Sequence, residues 1–545
     1  MAVKAIDTDV LVIGGGGAGL RASIEARRQG VEVLLASKTL AGLASCSIFS
    51  GGAFTAAFGT MTKENHFRTT ITTGKLINDQ GLVEVLVDEA VSRLLELREF
   101  GVKLSIGDGS CRVVDCSFPM QGAGLIHPLV KYARSIGVKM LENTMITDLL
   151  SNGTANGAVG FNVLSGERVA IGAKAVVLAT GGASQIYRRN DNPVRMTGDG
   201  YVMAYELGLP LIDMEFVQCL PTGTAEPGYP MFMLLIPLAI LELGVLQNIK
   251  GEDIVRKHGL NPKLVYSTHR DVWTNTIAKE IYEGRGEGDT ILLNLAKLPE
   301  SLQKHPFIQS LSELLKGFPL LEKPVHVTPL AHTFIGGIQI NENCETALPG
   351  LFAAGEATGG VHGANRVGGS ALTECVVFGA RSGKCAAEKA KTTPKKTVDE
   401  RQVEQKLERV DEVVGREASS MGSPELVRSR IQEIMWGKAG VIRSQQSLIE
   451  AKEALTQLRE ERLPRVYGKK PHEAMEALEA TNLLLVASLV VEAALTRTES
   501  RGVHYRIDYP DPDDKNWLQH IMLTKKFEGI GVETRPVKIT KLSPS

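Results

Sequence analysis

An α/β fold with a helical domain behind it is what this sequence predicts, on three observations. Residues 9–36 read as strand, glycine turn, helix and strand, the order of one βαβ unit. Residues 326–385 return to glycine-rich strand–turn–helix character, and 400–497 carry helical periodicity with many Glu, Lys and Leu. The chain has 545 residues, which at ~150 residues per domain makes room for two to four domains.

Taken in order, the first apolar run is DVLVI at 9–13, followed by GGGGAG and a helical stretch from Leu20 to about Gln29. A second apolar run, VEVLLA, occupies 31–36. Residues 155–179 alternate around a Ser165-Gly166 turn and end in KAVVLATGG, the pattern of a small antiparallel meander feeding a last buried strand. From about 225 to 325 an apolar run mixes with polar helices, which reads as an α+β insertion. Lys391 to Asp399, charged and containing Pro394, reads as a linker. The end of the chain, with Pro510, Asp511, Pro512, Asp513 and Asp514, reads as a turn-rich tail. The expected units are therefore 1–225, an insertion at 226–325, a return at 326–390, a helical domain at 398–500 and a tail at 501–545.

Composition removes several classes of function. Lys and Arg total 61 against 62 Asp and Glu, a net charge of −1, so no basic excess points to nucleic acid. The seven cysteines are scattered with no CxxC pair; they read as reduced thiols, with no spacing for an iron–sulfur cluster or another metal. Asp7 and Asp9 precede the first apolar run, unlike a signal peptide. The longest uninterrupted apolar run, Met231 to Leu241, is far short of the ~20 residues that span a bilayer. A cytoplasmic protein follows, peripheral to a membrane only through partners.

Glycine is the outlier: 56 residues, about a tenth of the chain against ~7% in an average protein. Gly14, Gly16 and Gly19 form G-x-G-x-x-G between strand and helix. There the first permits the turn, the second admits a pyrophosphate, and the third lets helix pack on sheet. The acid expected at the end of the second strand is missing; the strand ends in Ala36-Ser37-Lys38, where a serine hydroxyl is left to meet a ribose. Further clusters lie at Gly51-Gly52, Thr180-Gly181-Gly182, Gly198-Asp199-Gly200 and Gly355 through Gly369. A mononucleotide does not need so many close backbone approaches. An extended dinucleotide with a bulky ring does, which favours FAD over NAD.

These stretches resemble the flavoprotein subunits of succinate dehydrogenase and fumarate reductase, with L-aspartate oxidase. The similarity runs through Thr180-Gly181-Gly182, Asn192-Pro193, Thr197-Gly198-Asp199-Gly200, and Ala331-His332-Thr333-Phe334-Ile335-Gly336-Gly337. It is most specific from Gly355-Glu356 through His362-Gly363-Ala364-Asn365-Arg366 to Ser370, and continues to Gly379. Glu499-Ser500-Arg501-Gly502 through Asn516-Trp517 resembles the C-terminal signature. The resemblance implies a Rossmann-like FAD-binding domain interrupted by a capping domain and followed by a helical domain. It also implies that Gly14, Gly16, Gly19, Ser37, Lys38, Ser45, Gly51, Gly52, Thr180, Gly181, Gly182, Asp199, Gly355, Glu356, Asn365, Arg366, Ser370 and Leu372 hold the cofactor. His332 and Arg366 are implied to contact a substrate carboxylate. Arg270, in a stretch similar to the capping domain, is a third candidate catalytic residue, and an iron–sulfur protein is the implied electron partner.

The departures bear on chemistry. The histidine that bonds the flavin covalently in respiratory members falls at Ser45, so FAD is expected to be dissociable. The family's His-Pro-Thr reads Leu220-Pro221-Thr222. Its Thr-Glu and following arginine fall near Ile236, Pro237 and Ile240, and nothing from Met231 to Leu241 is ionisable. By this alignment the arginine that delivers a proton is gone. One carboxylate is still recognised, because a guanidinium fork suits it, while the other end of the site has become apolar. Losing one partner of a buried charge pair costs ~2–5 kcal/mol, so a C4 dicarboxylate is disfavoured. The expected function is CH–CH dehydrogenation or C=C reduction on a carboxylate or acyl compound. The other readings are a genuine fumarate reductase or succinate dehydrogenase, an aspartate oxidase, and a non-catalytic flavin relay whose substrate site has decayed.

Overall fold

The computed structural model describes residues 3–114, 116, 120–394 and 398–543. The first strand, Val3–Ile13, turns at Gly14 into the helix Gly17–Arg28 and returns as Val33–Ala36. The strand is longer than the apolar run predicts. Its first half is exposed or half-buried and only Val10 to Ile13 are fully covered, yet it pairs in parallel with Arg168–Leu178 from Val3 to Ile13.

The main sheet runs in the order 139–141, 33–36, 3–13, 168–178, 155–162, 144–151, and 351–353 joins it in parallel on 168–178. The expected meander is present and begins earlier, at Thr144. One face of the sheet is covered by the helix Gly17–Arg28, against which the helix Ser370–Thr392 packs closely. Two glycines permit that approach. A Cβ on Gly379 would lie 2.7 Å from the Ala18 carbonyl oxygen, and one on Gly383 would lie 2.2 Å from that of Ala22. The sequence segment that returns from the insertion is thereby locked onto the first helix.

The insertion has its own sheet, ordered 217–224, 325–334, 291–293, 246–247. It also has its own buried cluster, from Leu234 to Val327, centred on Trp273 and Ile277. The two longest strands of that sheet run back into the cofactor domain, so the insertion stands on a two-strand base.

The helical domain shares its core with the main sheet. Its helices Glu400–Gly415, Pro424–Lys438, Gln445–Arg462 and Pro471–Thr496 share one buried cluster with the main sheet. The cause is Pro471–Thr496, which is apolar over most of its circumference and buried along most of its length; such a helix is stable only when surrounded. By length and hydropathy it could also cross a membrane, but 78% of its most apolar window is buried inside the protein. Of the expected linker, residues 395–397 lie outside the described residues, and the helix before it extends to Thr392. The tail is also more ordered than a run of turns. Gln519–Lys526 and Gly529–Pro536 form a hairpin whose first strand pairs with Leu211–Ile212, because Ile521, Met522 and Leu523 are buried there.

Candidate cofactor and substrate site

Two cavities meet at the carboxyl ends of the parallel strands, where an open α/β sheet binds its ligand. The first spans about 860 Å³, space open to solvent included, and is lined by Gly14 to Ala18, Ser37, Lys38, Ser45, Thr180, Gly181, Arg195 and Asp199, among others. The second spans about 590 Å³ on the same measure and is lined by Phe49, Ser50, Asp191, Met233, His332 and Leu372, among others. Cys46, Ser47, Glu356 and Cys375 line both. The result is one long trough, from the end of the second strand to the foot of the insertion.

The glycine turn forms the trough's floor for separate reasons at each position. Gly14 has φ +114° and a Cβ there would sit 2.2 Å from the Ala179 carbonyl oxygen. Gly19 brings the helix against the turn: its Cβ would lie 1.8 Å from the Gly14 oxygen. Gly16 opens to the cavity beside Ser45. Thr180 Oγ1 is buried without a hydrogen-bond partner on the wall of that cavity. A bare backbone floor at a helix N-terminus and an unpartnered hydroxyl fit a pyrophosphate-bridged dinucleotide. FAD fits this trough: Gly14 to Gly17 would hold its phosphates and the Ser37–Lys38 end would meet the ribose.

Other expected cofactor residues lie off the surface of the trough, Arg366 and Ser370 among them. Gly51, Gly52, Gly182, Gly355 and Asn365 do not line either cavity. Gly182 leaves space for the Glu356 carboxylate, and Gly355 (φ +69°) for Ala18. Asn365 accepts from Gln218 Nε2 at 2.8 Å and from the Arg366 backbone N–H at 3.0 Å. Ser370 Oγ is buried and unpartnered.

Lys38 replaces the usual acid with a network. Its Nζ donates to Asp199 Oδ2 (2.7 Å), Glu479 Oε1 (2.8 Å) and Thr197 Oγ1 (2.9 Å). Burial works against its charge, but Asp199 and Glu479 outweigh that and its pKa is raised. Glu479, from the long apolar helix, is fully buried and also accepts from Arg195 (2.7 Å) and Arg428 (3.2 Å). Three cations thus depend on one helical-domain carboxylate. A hydrogen bond to a charged group contributes ~1.5–3 kcal/mol, so Glu479→Gln is expected to weaken FAD retention by roughly 10- to 100-fold. Flavin content after dilution and gel filtration checks it; unchanged retention would remove Glu479 from the cofactor's support.

Ser45 caps the short helix Cys46–Phe49, accepting from the Ile48 backbone N–H, and its hydroxyl donates to the Gly42 carbonyl (2.9 Å). It has no imidazole-like nucleophile to offer. Acid precipitation of the holoprotein is expected to leave all flavin in the supernatant; yellow colour in the washed pellet would show a covalent bond.

At the other end two guanidiniums and an imidazole gather. Arg366 is 2% exposed, and its Nε and Nη2 are buried with no partner. Among the described residues its Nη1 reaches only the Val367 carbonyl, 3.3 Å away. Burial lowers its pKa to about 10, with Glu356 and Glu374 opposing. Arg270 opens the helix Arg270–Glu280. Its Nε and Nη2 donate to the Tyr266 carbonyl (3.2 and 3.0 Å) and its Nη1 to Gln218 Oε1 (3.2 Å). Burial, and then the charge of Arg366, push its pKa well below the ordinary arginine value. Gln218 joins the two, since its amide also donates to the Arg366 carbonyl (3.1 Å). His332 lines the second cavity with Nδ1 2.8 Å from Asp191 Oδ2.

The apolar run is mostly the insertion's core. Leu234, Ile236, Ile240 and Leu241 are buried in its cluster, Leu220 is buried on strand Val217–Thr224, and only Met233 lines the cavity. The run does not block the cavity, contrary to what a decayed relay site would show. Alignment alone sets the proton-delivering arginine near Ile240 and finds no acid; the fold puts another guanidinium, Arg270, beside Arg366. Gln218, Tyr266, Asp191 and Met233 carry no motif that marks them. Asp191 is adjacent to the Asn192-Pro193 signature and Gln218 lies just before Leu220-Pro221-Thr222, which is the only sequence signal either has.

Comparison with known proteins supplies the family. Residues 9–372 match the FAD binding domain family and residues 428–545 the fumarate reductase flavoprotein C-terminal family. One of the subunits of the fumarate reductase (CoM/CoB) of Methanothermobacter marburgensis is 36% identical, over 96% of this chain and 98% of its own. The succinate dehydrogenase flavoprotein subunit of Rickettsia bellii is 33% identical, over 98% and 96%. A mutant FrdA of E. coli quinol fumarate reductase superposes with a TM-score of 0.90 at 30% identity, over 100% of this chain and 99% of that one.

Proposed function

The chain belongs to the flavoprotein-subunit family of fumarate reductase and succinate dehydrogenase, and from that premise we propose that its substrate has one carboxylate or acyl group and an apolar far end. Its cofactor is FAD and it is an oxidoreductase acting on CH–CH bonds. When bound, FAD supplies or accepts the hydride. The chain's own residues bind the anion, orient it and move the proton.

The observation that carries this reading is the contrast across the second cavity. His332 lines it, with the buried guanidiniums of Arg366 and Arg270 electrostatically coupled to its ring, while Met233 is what the insertion's apolar run presents to it and Leu220, Ile236 and Ile240 are buried. Arg366 has two unpartnered donors for a carboxylate, whose two oxygens match a guanidinium edge. Arg270 delivers the proton in the reducing direction and takes it in the oxidising one. Among the described residues no carboxylate is hydrogen-bonded to its guanidinium, and its lowered pKa makes it a stronger acid than a solvent-exposed arginine.

Electrons pass to or from a separate iron–sulfur protein of the same complex; the scattered free cysteines of this chain support that reading. The complex is cytoplasmic and peripheral to any membrane. The test is to reduce the holoprotein anaerobically with a viologen dye and follow reoxidation by cinnamate, crotonate, a crotonyl thioester and fumarate. A monocarboxylate or thioester is expected to outrun fumarate by about 100-fold. Fumarate as the fastest oxidant would instead establish the second reading, a fumarate reductase, which the 36% identity to a protein of that name favours.

A further inference from the structure

The two nitrogens of His332 have different surroundings. Nδ1 lies 2.8 Å from Asp191 Oδ2; a carboxylate only accepts, so Nδ1 carries the hydrogen. Asn192 Nδ2 donates to Asp191 Oδ1 (3.0 Å) and to the His332 carbonyl (2.8 Å), and the Cys46 thiol donates to Asn192 Oδ1 (3.1 Å). A chain of four side chains therefore fixes the tautomer. Among the described residues Nε2 has no hydrogen-bond partner, and the ring lines the second cavity.

That geometry sets a problem for anion binding. With Nδ1–H committed to Asp191, a neutral imidazole presents a lone pair at Nε2, and a lone pair repels a carboxylate. Only the imidazolium presents an N–H on both sides. Asp191 favours the imidazolium, while Arg366 and Arg270 oppose it; Glu356, Glu374, Cys46 and Cys375 are the other ionisable groups on the same cavity. Burial comes first, the arginines add to it, and Asp191 does not fully offset them, so the pKa of His332 lies below its ordinary value and the free site disfavours the imidazolium. A bound carboxylate reverses that balance, since it neutralises the arginine charge and accepts from Nε2.

We propose that a carboxylate enters this site together with one proton, taken from solvent onto Nε2 of His332 and held there by Asp191. Asp191 is then a positioning residue, and His332 grips the anion only as an imidazolium. The inference rests on the reading of the site as a carboxylate receptor. It adds a chemical consequence: a donor of positive charge on the carboxyl oxygen draws electrons from the conjugated C=C bond and makes it a better hydride acceptor. The sign of the pH dependence follows by linkage. Affinity is full below the free-site pKa, and it falls by up to tenfold per pH unit as pH rises from there to the pKa of the complex.

The experiment is calorimetry of cinnamate and of malonate binding to the oxidised holoprotein at pH 7.5, in two buffers of different protonation enthalpy. The difference between the buffers counts protons. Close to one proton taken up per anion is expected, with Kd rising toward tenfold per pH unit above pH 7. His332→Gln should abolish the uptake and flatten the pH profile, and Asp191→Asn should reduce the uptake and weaken binding by about tenfold or more. Binding of either anion by the unaltered protein without proton uptake overturns the proposal and leaves the carboxylate-receptor reading intact. Undiminished uptake in His332→Gln overturns it as well. Malonate binding with uptake while cinnamate fails supports it and overturns the apolar-substrate reading; no binding by either overturns both. The wild-type proton count stands whether or not the variants keep their flavin.

Discussion

Arg270→Gln is expected to lower kcat by about 10²- to 10⁴-fold, the usual range for removing a positioned proton donor, while the Kd for a carboxylate inhibitor stays within a few-fold. Glutamine can still hydrogen-bond to Gln218 and to the Tyr266 carbonyl, the two partners that hold the guanidinium, so the local packing has a substitute. The residual rate should not recover at any pH between 6 and 9, because an amide does not ionise in that range. A second effect separates this role from a structural one. Arg270 lowers the proton affinity of His332, so removing its charge should move the pH dependence of inhibitor binding upward. Viologen-driven turnover and inhibitor titration on the same preparation give both numbers. A kcat within fivefold of the parent would remove Arg270 as the acid.

The same crowding explains why the site is built as it is. Three cationic or protonatable groups, Arg270, Arg366 and His332, lie close enough to lower one another's proton affinity. Asp191, Glu356 and Glu374 compensate only in part, and burial pushes Glu356 up to about 7. Such an arrangement is unfavourable until an anion arrives, and a substrate carboxylate completes it. That places specificity in electrostatics at one end of the substrate. Elsewhere on the cavity Phe49, Met233 and Leu372 offer only shape and apolar contact, which discriminates weakly between hydrocarbon tails.

The sequence showed the cofactor end more fully than the substrate end, for a physical reason. Gly14 and Gly19 must be glycine because of backbone approaches of about 2 Å, while Gly16 opens to the cavity, and a steric requirement of that kind leaves a fixed spacing in the chain. The meander and the returning helix were visible for similar reasons of period and turn chemistry. The substrate end is assembled from Gln218, Arg270, His332 and Arg366, which come from strands and helices far apart in sequence. Nothing in the chain near Arg270 says that it packs beside Arg366, and counting along an alignment pointed to Ile240 instead. The Lys38–Glu479 link was hidden in the same way, since 441 residues separate its partners. The shared core of the helical domain was invisible because amphipathic helices look alike whether they pack on each other or on a sheet.

Arg366→Met should weaken carboxylate binding by roughly 30- to several-thousand-fold, the ~2–5 kcal/mol cost of truncating one partner of a buried charge pair. Methionine fills much of the same volume, and the backbone contacts of residue 366 with Asn365 and Gln218 do not use the side chain. Flavin content is therefore expected to hold. The loss should be specific to anions: a neutral unsaturated amide or thioester, which never used the fork as a charge partner, should lose less than tenfold. Arg366→Lys restores the charge but not two parallel donors, so it should fall between the parent and the methionine variant. Glu356 supplies an internal control. Arg366 lowers the pKa of Glu356, which burial has raised to about 7, so removing the arginine must raise it further. The carboxyl then stays neutral to higher pH, and any activity that depends on it shifts in the alkaline direction. Binding constants for cinnamate and for a neutral analogue, measured on all three proteins, decide the matter. Equal losses for both ligands would mean that Arg366 supports the pocket's shape and does not recognise the anion, and the substrate's charged end would have to be sought elsewhere in the site.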